Sequence, residues 1–135
     1  MSVLAQETRL CLSNLTTGTD GELCGRFVFP PEYPGFAGHF PGNPVLPGVC
    51  MIQAALVMQE VSNNRPVTLE KVVSAKWFAP VKPGSELSFV SSVSTKEQNE
   101  REGTAIKTRI TCNGEKVAEL VLQVIGLPAR KDGKS

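Results

Sequence analysis

Histidine is nearly missing from this chain: it occurs once, at position 39 of 135. With a single imidazole, a zinc site would need mostly cysteines drawn from distant segments. The four cysteines, Cys11, Cys24, Cys50 and Cys112, show no C-x-x-C spacing. Free thiols are therefore expected and no metal site. An excess of charge of one sign is also missing. Fourteen Lys and Arg stand against 13 Asp and Glu, a net charge of +1, which gives no global reason to expect nucleic acid or a membrane surface as partner. No apolar run approaches the ~20 residues of a membrane span. Gln6, Glu7, Thr8 and Arg9 stand where a leader peptide needs an apolar core, so the expected compartment is a reducing cytoplasm.

What the chain does have is concentrated around that histidine. Between Pro30 and Gly48 lie six prolines and four glycines. Prolines fix φ and glycines open backbone regions closed to other residues, so this stretch is neither helix nor central strand but a loop held in one shape. Directly after Pro47-Gly48 the character changes. From Val49 to Met58 every residue is apolar except Gln53. That run predicts a helix from Pro47 to Ser62, buried on nearly all sides and stopped by Asn63-Asn64-Arg65-Pro66.

The flanking segments read as strands. TRLCLSNL, Thr8 to Leu15, alternates, with Leu10, Leu12 and Leu15 near the inner face. A turn cluster at Thr16 to Gly21 and a strand from Leu23 to Phe29 complete an opening hairpin. Beyond Pro66, strands are expected at Leu69 to Phe78, Glu86 to Thr95, Thr104 to Cys112 and Lys116 to Val124. Asn113-Gly114 between the last two is a strong two-residue hairpin turn. One buried helix, an N-terminal hairpin and a four-strand antiparallel meander make an α+β fold. A curved sheet wrapped round the helix would cover so apolar a segment. Val117, Val121 and Val90 fall on the opposite faces of their strands, which predicts a second apolar surface and self-association. Residues 1–135 are expected to form one domain, with 128–135 a flexible tail.

The segment GHFPGNPVLPGV, Gly38 to Val49, closely resembles the signature of the FabZ/FabA-type 3-hydroxyacyl-(acyl carrier protein) dehydratases. KWFAPVKPGSEL resembles that family's strand followed by Pro-Gly. The resemblance implies a single hotdog domain, an antiparallel sheet wrapped around a central helix. It also implies a dimer with a continuous sheet, or three such dimers, and acyl carrier protein as the carrier of the substrate. No cofactor is implied. Lys76, Lys82, Lys107, Arg109, Arg130 and Lys131 are the basic candidates to face that acidic carrier.

The same resemblance assigns roles. His39, in an apolar setting with Phe40 that favours neutral imidazole, would remove a proton from C2 of a 3-hydroxyacyl thioester. The N–H of Gly48 at the helix start would bind the thioester carbonyl and stabilise enolate-like charge. Phe40 and Val49 would contact substrate. Fourteen residues after the histidine the family carries Glu or Asp, which protonates the departing hydroxyl; here that position is Gln53. An amide can orient a hydroxyl or a water but is no general acid at neutral pH. Glu60 lies two turns further on, about 10 Å away, and cannot simply replace it. The expectation is thus a dehydratase that is slow or needs a partner subunit. The alternatives are an enoyl-thioester isomerase using His39 alone and a non-catalytic acyl-binding subunit. A thioesterase is a weaker alternative, because the central motif holds no carboxylate.

Overall fold

The structure, a computed structural model, describes residues 3–18, 20–36, 42, 44–96 and 103–127. Helix α1 (Val3–Leu10) leads into strands β1 (Leu12–Thr17) and β2 (Leu23–Val28). A short 3-10 turn at Pro34–Phe36 precedes helix α2 (Gly48–Asn63). Strands β3 (Thr68–Trp77), β4 (Glu86–Lys96), β5 (Gly103–Cys112) and β6 (Glu115–Ile125) follow. All six strands join one antiparallel sheet in the order β1-β2-β4-β5-β6-β3. The chain is a single α+β domain of the hotdog type, as the apolar circumference of α2 predicted.

The core lies between α2 and the inner face of the sheet. Met51, Ala54, Ala55, Leu56, Val57 and Met58 are buried on the helix. Phe27, Leu87, Phe89, Ile106, Ile110, Leu120 and Leu122 are buried opposite them. Alternation along β4, β5 and β6 decides which side chains enter. Gly25 makes room for the β1 side chain beside it, since a Cβ there would stand 2.9 Å from Leu12 Cδ1. Asn113 and Gly114 both take positive φ, 53° and 83°, as a two-residue turn between twisted strands requires. No helix among the described residues is long and apolar enough to cross a membrane.

Three expectations need correction. Thr8 to Leu10 is helical, and Leu10 is 78% exposed instead of facing the core. Ala5 and Thr8 are the buried positions of α1. A polar Thr8 is tolerated there because its hydroxyl donates to Leu4 O at 2.7 Å and shares a 2.6 Å hydrogen bond with the Tyr33 phenol. Second, β3 does not begin a four-strand meander. It pairs with β6 at the far edge, leaving β4-β5-β6 as the meander. The linker from Phe78 to Ser85 contains Pro80 and Pro83, which cannot donate to a ladder. It is tied down elsewhere, by Leu46 N to Val81 O and Gly84 N to Phe29 O, both 2.8 Å. Third, Val117 is buried and so adds nothing to an outer apolar surface. The β5–β6 register runs from Ile110↔Ala118 to Thr111↔Lys116, so Val117 is the extra residue of a bulge and escapes the alternation. The expected tail, 128–135, lies outside the described residues.

Candidate active site

The first turn of α2 has no ordinary cap. Its N-cap is Pro47, at φ −66° and ψ 148°, with no side-chain hydrogen bond to the turn. Cys50 N donates to Pro47 O at 3.0 Å, whereas the N–H groups of Gly48 and Val49 have no partner among the described residues. A helix start leaves such donors exposed, with the positive end of the helix dipole behind them. A cleft of about 380 Å³ opens there, lined by Val45, Leu46, Gly48, Met51, Trp77, Phe78, Ala79 and Pro80. The walls are apolar, and the unpaired donors are polar groups at one end.

Gly48 is required at this point by packing. A Cβ on it would stand 2.7 Å from Trp77 Cζ2 and 2.8 Å from Cη2. The indole therefore lies directly on the Cα of the first helical residue. Trp77 ends the edge strand β3 and Phe78 follows it; they are 47% and 48% exposed. The backbone beside them is fixed, since Phe78 N donates to Val117 O at 2.8 Å. Lys116 Nζ stands 5.4 Å from the centre of the Phe78 ring, within cation–π range. Sequence reasoning did not single out either aromatic. The signal was there: Trp77 is the only tryptophan of the chain, in a strand that ends at the Pro-Gly segment.

The remaining predicted residues fall in different places. His39 and Phe40 lie outside the described residues. Val49 is 64% exposed, does not line the cleft, and shares a helix face with half-buried Gln53, one turn further on. Ile52 and Glu60 are also only partly buried, so this side of α2 is the one its own sheet covers least. Gln53 is consequently not the buried polar group of the helix. That is Gln59, 2% exposed, whose Nε2 has no hydrogen-bond partner among the described residues. Its Oε1 accepts from Asn63 Nδ2 at 3.4 Å. Glu60 is engaged: its Oε2 accepts from Val67 N at 2.9 Å.

Behind the first turn lies Cys50, buried against Tyr33 and Gly35. Burial pushes its thiol up from the ordinary value, partly offset by a hydrogen bond from Tyr33. Burial likewise holds the Tyr33 phenol up, against the opposing pull of its Thr8 hydrogen bond. Both groups are protonated near neutrality, so Cys50 is not a thiolate nucleophile. No three His, Cys, Asp or Glu side chains among the described residues are grouped to hold a metal ion. Among the described residues, Lys76, Lys107 and Arg109 share the outer face of β3 and β5, on either side of β6. Lys76 and Arg109 flank Glu119 on neighbouring strands, Arg109 lies 3.7 Å from Glu22, and Lys82 sits in the β3–β4 linker. Arg130 and Lys131 are outside the described residues.

Comparison with known proteins matches residues 16–116 to the ApeI-like family, described as ApeI dehydratase. The chain belongs to this family. Among curated relatives, the 3-hydroxyacyl-[acyl-carrier-protein] dehydratase FabZ of Latilactobacillus sakei is 36% identical over 97 residues, 67% of each chain. FabZ of Ehrlichia chaffeensis is 39% identical over 71 residues, 49% of this chain and 50% of that protein. The chain spans only about half the length of the first of these curated relatives. Among solved structures, the dehydratase heterocomplex ApeI:P from Xenorhabdus doucetiae superposes with a TM-score of 0.67 at 18% identity, covering 84% of this chain and 95% of that one. A Lactococcus lactis protein named as a candidate thioesterase gives 0.66 at 14% identity, covering 96% and 100%. At these identities the structural matches establish the ApeI-like chain's hotdog fold alone.

Proposed function

We propose that this chain is a subunit of a 3-hydroxyacyl-[acyl-carrier-protein] dehydratase, forming trans-2-enoyl thioesters in fatty acid or related acyl-chain biosynthesis. The observation that carries the reading is the uncapped start of α2 at Gly48, opening into an apolar cleft in a chain of a dehydratase family. The thioester carbonyl accepts from the Gly48 N–H, which makes C2 more acidic. His39 takes the C2 proton, the C3–O bond breaks, the hydroxyl leaves as water with a proton from an acid, and C2=C3 forms.

Gln53 cannot deliver that last proton. A partner subunit is the source this reading assigns, and two surfaces support one. The helix face carrying Val49 and Gln53 is poorly covered, and β3 is an open edge strand with Val72, Val73 and Trp77 exposed, followed by exposed Phe78. A homodimer or trimer of dimers would cover both but would bring only a second Gln53. A related heteromeric partner carrying a carboxylic acid would complete the site, and a dehydratase heterocomplex is among the structural relatives. The reading carries a cytoplasmic location and acyl carrier protein as substrate carrier.

The test is turnover of 3-hydroxyacyl-carrier substrates by mass spectrometry. General acid help is typically worth ~10²–10⁴-fold, so Gln53→Glu should raise dehydration by a substantial part of that factor. His39→Ala should abolish it. If wild type, Gln53→Ala and Gln53→Glu dehydrate equally fast, the side chain at 53 has no chemical role. Gln53 also favours a second reading, an isomerase in which His39 alone moves a proton between C2 and C4 of an enoyl thioester. Gln53→Glu would then leave isomerisation nearly unchanged.

A further inference from the structure

In the cleft, the Trp77 indole packs onto Gly48. The gap between the indole and the Gly48 Cα does not admit even one methyl group, because a Cβ there would be 2.7 Å from the ring. A carbonyl oxygen accepting from the Gly48 N–H would sit about 2.9 Å from that nitrogen, and the carbon next to the carbonyl about 4–5 Å from it. That carbon lies in the cleft that Gly48 and Trp77 line together, so a substituent on it competes with the indole for the same space. The ring is only half-buried, but the strand beneath it is anchored by the Phe78–Val117 hydrogen bond and the pairing of Trp77 with Ala118.

We propose that Trp77 is a specificity-determining residue: the indole held on Gly48 sets the width of the cleft beside the thioester carbonyl, admitting acyl chains unbranched at C2 and rejecting those with a C2 methyl. This rests on the dehydratase reading for the position of the carbonyl. It adds the substrate class that the cleft accepts. A single methyl group in a tight apolar pocket changes selectivity by roughly 10–200-fold, and the Trp77 wall should act within that range. Because Trp77 is the sole tryptophan, its own fluorescence reports on the cleft.

The experiment titrates the full chain with a 3-hydroxyacyl pantetheine amide, which cannot be cleaved as a thioester can, and with its C2-methyl counterpart. Binding is followed by tryptophan emission and by calorimetry. The unbranched analogue should shift the emission to the blue as the half-exposed ring is dried, and should bind at least about tenfold tighter than the methylated one. Trp77→Ala should bring the two affinities together, and Trp77→Phe, which keeps an aromatic wall and the fold, should retain most of the discrimination. Binding of the unbranched analogue without a change in emission would overturn the inference, as would an unchanged affinity ratio in Trp77→Ala. Equal turnover of unbranched and C2-methyl carrier-linked substrates by the wild type would sink it too, while leaving the dehydratase reading intact. Absence of both turnover and binding overturns both.

Discussion

The two ends of α2 are built to opposite rules. At the C-terminal end the helix is closed by several hydrogen bonds. Asn64 adopts the left-handed conformation at φ 53°, and its N–H donates to Glu60 O. Asn63 Nδ2 donates to Gln59 O at 2.8 Å, and the Glu60 carboxylate accepts from Val67 N at 2.9 Å. At the N-terminal end a proline stands where Ser, Thr or Asp would cap, the first residue is a glycine, and half-exposed aromatics surround an open cleft. An uncapped end forgoes about 0.5–2 kcal/mol of stability. Its unpaired donors remain free for a ligand instead. One helix thus places its structural bonding at one terminus and its chemical capacity at the other.

The sharpest way to break the comparison is a methyl group at the open end. Gly48→Ala puts a Cβ against the Trp77 ring. The crowding falls on a half-exposed ring at the rim of the cleft and not on the core, so the fold should survive while the cleft changes shape. Misplacement of a bound group by about 1 Å costs on the order of 10²-fold in rate. We expect turnover to fall by about that factor with a small change in Tm. Adding Trp77→Leu should restore part of the loss. A large fall in Tm without a specific loss of turnover would mean that Gly48 serves packing alone.

The closed end should respond the other way. Glu60→Ala removes a hydrogen bond to a charged acceptor and leaves Val67 N unpaired, at a cost of about 1.5–3 kcal/mol. Chemical denaturation should show that loss with kcat nearly unchanged. If kcat falls as much as it does for Gly48→Ala, the separation of roles along α2 is wrong.

How much of this was legible in the sequence depended on the range of the interactions. The α2 boundaries and the β4–β6 meander follow from local periodicity, because alternation and Asn113-Gly114 are decided within a few residues. The strand expected at Thr8–Leu15 failed because a buried threonine is sensible only with Tyr33, 25 residues away, as its partner. Val117 was misassigned because a bulge is invisible to a period-two reading. At the site, the motif pointed to the start of α2, where the structure has a cleft that Gly48 lines. The wall opposite it, Trp77, comes from an edge strand whose place in the sheet is set by a crossover to β6, which no local pattern encodes.

The smallest effect concerns the polar group that the sequence did not single out. Gln59 is buried yet its Nε2 donates to nothing among the described residues, and its Oε1 has only a 3.4 Å contact with Asn63. Asn63 keeps its shorter bond to the backbone oxygen of residue 59 whatever side chain that residue carries. Replacing the amide by a thioether of similar length therefore removes an unpaired donor and leaves the rest of the closed end in place. An unsatisfied buried group costs about 1–3 kcal/mol, and imperfect packing of the new side chain takes back part of that. Gln59→Met should thus raise stability by about 1 kcal/mol, read from a denaturation midpoint at unchanged m-value. A loss of stability instead would mean that Nε2 has a partner in solution. Measuring the same variant at two protein concentrations would then separate a water within the chain from a group on a second subunit, since only the latter makes the loss depend on concentration.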